Sequence, residues 1–191
     1  MMIRVLALTG ALLLNDCMPS GPKRVDLSMS SFSYSPVLVT EAQVADIYYH
    51  NNPLVTLGMA EVGLPRSTGH MMLARPLSGS KDFEISVRWV EMLTNRAWRA
   101  SVTVDPKDLT AEHDDWVSII LIFGANGHFV VGSDYGTEHI TKDVVQVCGE
   151  RDPEADRDVA AEVNKHAKLA SALALDYAPV PDQTTCPAPV Q

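Results

Sequence analysis

The apolar pattern of this chain is densest in Asp115–Asp134, DWVSIILIFGANGHFVVGSD. From Val117 to Phe123 only Ser118 is polar. A short β-branched run bounded by turn formers predicts a strand. Both of its faces are apolar, so it is expected mid-sheet with something packed over each side. Asn126-Gly127 is a strong hairpin signal, with the return through Phe129-Val130-Val131.

Elsewhere the pattern alternates. Val25, Leu27 and Met29 oppose Asp26, Ser28 and Ser30, which predicts a strand with one wet face. Ala42–Tyr49 predicts a second strand, ended by His50-Asn51-Asn52-Pro53, and Leu54–Met59 a short third. Glycines and prolines make Gly58–Lys81 the least regular stretch, and such a segment in a compact domain is either mobile or functional. Phe83, Ile85, Val87 and Trp89 then oppose Glu84, Ser86 and Arg88. After a bend at Thr94-Asn95, Trp98, Ala100, Val102 and Val104 oppose Arg99, Ser101 and Thr103. This is a hairpin with one face in water, ended by Asp105-Pro106 because proline cannot donate to the ladder. With the acidic connection Asp108–Asp115 and the central hairpin, the pattern predicts a four-stranded antiparallel meander over Phe83–Asp134.

The last third changes period. Asp152-Pro153-Glu154 is a helix start, with a capping Asp, a first-turn Pro and an acidic residue near the positive end of the dipole. Val159, Val163, His166, Ala170, Leu173 and Tyr177 recur at helical spacing, which predicts a helix over 153–177 with one stripe on the sheet. Pro179 and Pro181 end it, before a Pro-rich tail. The expected fold is α+β, mainly β: an antiparallel, sandwich-like sheet with one C-terminal helix packed on it.

Length and charge narrow the function. At 191 residues without a long linker, one domain is expected. The formal charge of −9 comes without a basic stripe, which argues against nucleic acid and against electrostatic docking on anionic lipid. The start, Met1-Met2-Ile3-Arg4 followed by apolar Val5–Leu14, has the size of a secretory signal and is short for a membrane span. Residues 1–16 are therefore expected to be a signal peptide, 17–24 a tether, and 25–191 the folded domain. Cys17 directly after the apolar run is placed for lipidation, although Asn15-Asp16 precede it where small residues are usual. Cys148 and Cys186 either form a disulfide tying the tail to the sheet, as an oxidising compartment permits, or remain free thiols.

The chain carries no complete catalytic pattern among the familiar motifs. Gly132-Ser133-Asp134-Tyr135-Gly136 has its serine one place early for a nucleophile elbow. Gly124-Ala-Asn-Gly127 lacks the Lys-Ser/Thr of a phosphate loop. Glu112-His113-Asp114-Asp115 is the most metal-like cluster, yet it lacks calcium-loop and zinc-protease spacing and reads as a solvated acidic connector. His128, His139 and His166 stand alone, and His70-Met71-Met72 reads as a loop tucking methionines onto apolar surface. No cofactor or metal is implied, and a binding role is expected in preference to an enzyme.

The segments KDFEISVRWVEMLTNRAWRASVTVD (Lys81–Asp105) and DDWVSIILIFGANGHFVVGSDYG (Asp114–Gly136) resemble the Tli immunity lipoproteins, which are encoded beside type VI secretion phospholipase effectors. The likeness spans roughly Phe32–Gly136. It rests on a Val-x-Trp strand, a bend, and a Trp–strand–Gly–strand–Asp-Tyr-Gly hairpin. Gly58–Gly69 has the glycines of a preceding stretch in related proteins but not its cysteine. The resemblance implies a periplasmic protein, anchored at the outer membrane if lipidated, that binds a secreted phospholipase and neutralises it without catalysis. Candidate contacts are Leu64, Arg66, His70, Met71 and Met72 in the irregular segment, and Glu112, His113, Asp114 and Asp115 in the acidic connector. The rival expectations are an accessory or structural envelope lipoprotein and, for both segments, ordinary solvated loops.

Overall fold

The computed structural model describes residues 23–49, 54–56, 69–77, 82–113, 116–134, 141–165 and 169–189. The strands are β1 (Lys23–Ser31), β2 (Val37–Val44), β3 (Ile47–Tyr49), β4 (Leu54–Thr56), β5 (Gly69–Leu77), β6 (Phe83–Glu91), β7 (Arg96–Val104), β8 (Ala111–His113), β9 (Trp116–Phe123), β10 (His128–Asp134), β11 (Thr141–Cys148) and β12 (Glu150–Arg151). One short helix, α1, spans Leu169–Leu173. The first sheet runs β11-β10-β9-β1-β5 with β8 added to β9, and the second runs β12-β7-β6-β2-β3 with β4 added to β2. The fold is thus mainly β, as the alternation predicts, and it includes one short C-terminal helix.

The main core lies between the sheets. Val25, Leu27, Met29, Val117, Ile119, Leu121, Phe123, Phe129 and Val131 from the first meet Val39, Ile85, Val87, Trp89, Trp98 and Val104 from the second. Trp89 spans the interface, with its ring centroid 5.2 Å from Phe123 and 6.0 Å from Phe129. β9 sits mid-sheet, between β10 and β1. Its second apolar face, Ile120 and Ile122, joins Val130 in a separate small cluster against Phe32.

Several expectations need correction. Phe83–Asp134 is not one meander, because the β6–β7 hairpin belongs to the second sheet and β9–β10 to the first. Between them Asp105 caps a 3₁₀ turn at Pro106–Asp108, and Thr110 N–H donates to Ser133 Oγ of the first sheet at 2.7 Å. The chain therefore changes layers there, and the supposed acidic loop includes strand β8. The expected wet face of β1 is buried at Ser28 and Ser30, and β1 runs inside its sheet between β5 and, in parallel register, β9. Ala42–Tyr49 is not one strand: Ala45, at φ 53°, turns the chain from β2 into β3. Within the stretch expected to be irregular, 69–77 is strand β5.

The predicted helix over 153–177 is not formed. Pro153–Ala155 and Ala160–Lys165 are 3₁₀ turns, and α1 has only five residues. Tertiary bonds take the groups a helix needs. Asp156 is extended at ψ 139°, with its carboxylate holding Arg151 and the Ala97 N–H, and Val159 N–H donates to Asn95 Oδ1 at 3.1 Å. The residues packed inward are Val159, Leu169 and Ala172, over Leu38, Val90, Met92 and Ala97 of the second sheet. Ala170 of the predicted stripe is exposed, and His166 lies outside the described residues.

The β9–β10 turn binds these parts together. Asn126 and Gly127 both have positive φ, 58° and 78°. Gly127 N–H donates to Glu91 Oε1 of the second sheet at 3.0 Å, and its carbonyl accepts Gly149 N–H at 2.8 Å. Asn126 Nδ2 donates to Thr184 Oγ1 at 3.1 Å, next to buried Cys186. Cys186 is bonded to Cys148, with Cα atoms 5.5 Å apart and a sequence separation of 38.

Two stability changes are expected. A Cβ at Gly127 would lie 2.3 Å from Trp98 Cε3, so Gly127→Ala combines a left-handed backbone with overpacking and should cost about 2–5 kcal/mol in urea unfolding. A cost under about 1 kcal/mol would show that the turn is not constrained in this way. Cys186→Ser opens a loop of this length and should lower stability by about 4 kcal/mol through the unfolded chain. An unfolding midpoint equal to that of the oxidised protein would contradict it.

Candidate protein-docking site

The segments nominated from sequence are not brought together. Leu64, Arg66, Asp114, Asp115 and Cys17 lie outside the described residues. His70, Met71 and Met72 are on β5, an edge strand, opposite Ser28, Leu27 and Asp26. Glu112 and His113 are on β8, beside the start of β9. Strands β9 and β1 separate the two groups.

Among the described residues the histidines do not come together. His128 is buried, stacked on Phe32 at 5.6 Å, with Nε2 3.4 Å from Gln146 Oε1. Burial lowers its pKa, so it packs as the neutral ring. His139 lies outside the described residues. Among the described residues no cluster of His, Cys, Asp and Glu could hold a metal ion.

The feature that stands out is the outer face of the second sheet. Its apolar end is covered by Val159, Leu169 and Ala172. Its other end is open, over a cavity of about 790 Å³ lined by residues that include Gln43, Tyr48, Ser86, Arg88, Arg99 and Ser101. Alternation generates this surface: β6 and β7 turn Ile85, Val87, Trp89, Trp98 and Val102 into the core, which leaves Ser86, Arg88, Arg99 and Ser101 outward. In one register row across four strands stand Glu41, Arg88, Arg99 and Glu150. The next row holds Tyr48, Gln43, Ser86 and Ser101.

The charge order of that row is minus, plus, plus, minus. Like charges directly opposite on neighbouring strands are destabilising, so Arg88 and Arg99 break a local rule of sheet pairing. The flanking carboxylates relieve them unequally. Arg99 Nε and Nη2 both donate to Glu150 Oε2, at 3.2 and 2.9 Å. Arg88 has only long ion pairs, 3.8 Å to Glu41 and 3.7 Å to Asp152, and among the described residues its guanidinium makes no hydrogen bond. Arg151 and Arg157, by contrast, each grip a carboxylate with two N–H groups, Asp156 and Glu162 respectively. The Arg151 pair holds the Asp156 carboxyl below its ordinary value. Arg88, about half exposed, is the arginine of this face with donors to spare.

This face offers charge-assisted donors, carboxylate acceptors and hydroxyls on rigid strands. Arg88 and Arg99 each lie three residues from the turn between β6 and β7, whereas a bend centred on Thr94-Asn95, as the sequence suggests, would not set them opposite each other. Glu41 and Glu150 were not legible, because nothing local links β2 or β12 to that hairpin.

Glu91, buried beside this sheet's end, is the group whose titration reports on the fold. Its carboxylate accepts from Gly127 N–H and from Thr94 Oγ1 at 2.9 Å, yet burial is the larger effect and raises its pKa above 4.5. The folded state therefore holds this proton more tightly than the unfolded chain. Its stabilising effect is present below the unfolded pKa and is lost as pH rises through the folded one. Glu91→Gln lacks this titration, so wild-type stability minus that of the variant should fall as pH rises from about 4 to 7. A pH-independent difference between the two proteins would contradict the assignment.

No protein-family model matches this chain, and no curated protein and no solved structure matches it.

Proposed function

We propose that this chain is an exported immunity protein that binds a type VI secreted phospholipase effector and neutralises it by occupying its surface. The observation that carries this conclusion is the ordered charge row Glu41-Arg88-Arg99-Glu150 on the open face of a rigid sheet. Fixed, partly desolvated charges on strands suit specific docking, because they set register and reject wrong partners. Export to the periplasm is supported by the positive start and apolar Val5–Leu14 run, and by the Cys148–Cys186 bond, which an oxidising compartment maintains. Cys17 would carry the lipid if the signal is of the lipoprotein type, and that lipid would be the protein's contact with a membrane. The net charge of −9 would speed encounter with a basic effector surface. The resemblance of Lys81–Asp105 and Asp114–Gly136 to Tli immunity lipoproteins gives the effector its class. No catalytic residue is assigned, because the role is stoichiometric.

The test starts from the genes beside this one: a lipase encoded there is directed to the periplasm and co-expressed with this protein, and neighbours that include no lipase would favour the accessory envelope role. Full-length protein should abolish lipase toxicity, and deletion of Val5–Leu14 should restore it. Equal protection by a cytosol-retained version would overturn export. Persistent toxicity with the exported protein present would overturn immunity and favour an accessory envelope role.

A further inference from the structure

We propose that the partner is recognised through a carboxylate flanked by two cationic side chains, seated across the strands on the row Glu41-Arg88-Arg99-Glu150. This deepens the immunity proposal and rests on it for the partner's identity, though not for the surface. Three features of the row point to such an occupant. Its centre is a doubled guanidinium with unused N–H donors on Arg88, and the group that best satisfies such donors is a carboxylate. Its ends are carboxylates on side chains that are more than a third exposed, Glu41 at 38% and Glu150 at 76%, which can each accept a lysine or arginine. Its length is also matched. Four neighbouring strands place the outer members about 14 Å apart, and positions i, i+2 and i+4 of an extended partner segment span about the same distance. A segment of the form Lys-x-Glu-x-Lys, laid perpendicular to β6 and β7, therefore sets opposite charges in register along the whole row.

The neighbouring row leaves room for it. Ser86 and Ser101 are short, so the floor beside the arginines is low, while Tyr48, half exposed, and Gln43 stand at one side. The outer flanks of the partner segment are cationic, which also suits a protein of charge −9. The hairpin register sets Arg88 opposite Arg99, and the long Arg88 contacts mean that the fold alone does not satisfy that guanidinium.

The experiment uses two capped pentapeptides of one composition, Lys-Thr-Glu-Thr-Lys and Lys-Lys-Thr-Thr-Glu, titrated into ¹⁵N-labelled protein at low ionic strength. The first should shift amides around Arg88 and Arg99 saturably and bind at least fivefold tighter than the second. Arg88→Gln should remove that preference while leaving the rest of the spectrum unchanged, and Arg88→Lys, which keeps charge without the planar fork, should retain part of it. Equal binding of both peptides, or shifts confined to β5 and β8, would overturn the proposal. Peptide selectivity combined with no binding of the neighbouring lipase would retire the effector and keep the surface. A lipase bound equally by wild type and Arg88→Gln would retire the surface and keep the effector.

Discussion

Glu91 closes the second sheet's β6, and its carboxylate accepts the N–H of Gly127 at the tip of the first sheet's central hairpin. Much of the molecule meets at that tip. The face of Trp98 lies against Gly127, the Gly127 carbonyl receives Gly149 N–H, and Asn126 reaches the tail at Thr184 and Cys186. A buried carboxylate is costly unless donors surround it, and here a turn amide and a threonine hydroxyl do so. Removing it would leave the Gly127 amide unmet in the interior, a cost of about 1–3 kcal/mol. The two sheets are thus joined by an oriented polar contact as well as by hydrophobic contact, and that contact fixes their relative register.

The open face inherits this order. Gly149 sits where a Cβ would lie 2.8 Å from the Arg99 carbonyl and 2.9 Å from Trp89, so the chain passes close to β7 only because the residue is glycine. Its bond to Gly127 sets where β12 begins, and the next residue, Glu150, then falls opposite Arg99. The far end of the charge row is therefore positioned by the same turn that links the sheets. On the covered half of the face, the C-terminal segment packs Val159, Leu169 and Ala172 over apolar strand residues. What stays exposed is the polar half, which is why the charged surface is bounded and not diffuse.

Legibility in the sequence followed locality. The β6–β7 hairpin, the Asn126-Gly127 turn and the mid-sheet position of β9 all follow from patterns within about ten residues. The parallel pairing of β1 with β9 does not, because it joins positions some 90 residues apart, and the burial of Ser28 and Ser30 is likewise not written in their polar character. The region 153–177 has helical periodicity, but Asp156 and Val159 make bonds to the β6–β7 hairpin that a continuous helix would forgo. Tertiary hydrogen bonds prevailed over propensity there. The irregular and acidic segments read as loops in the sequence, yet His70–Met72 and Glu112–His113 lie on strands, and the open charged face lies on others. Its pattern requires four strands from separate parts of the chain, and only half of it is local.

The central claim is that the fold leaves Arg88 unsatisfied while it satisfies Arg99, so that the row is completed only by a partner. Guanidinium rotation measured by NMR in the free protein tests this directly. The Arg99 side chain, held by two bonds to Glu150, should show slow rotation about Cζ–Nε, and the Arg88 side chain should rotate freely. Rotation of Arg88 as slow as that of Arg99 in the absence of any partner would contradict the account.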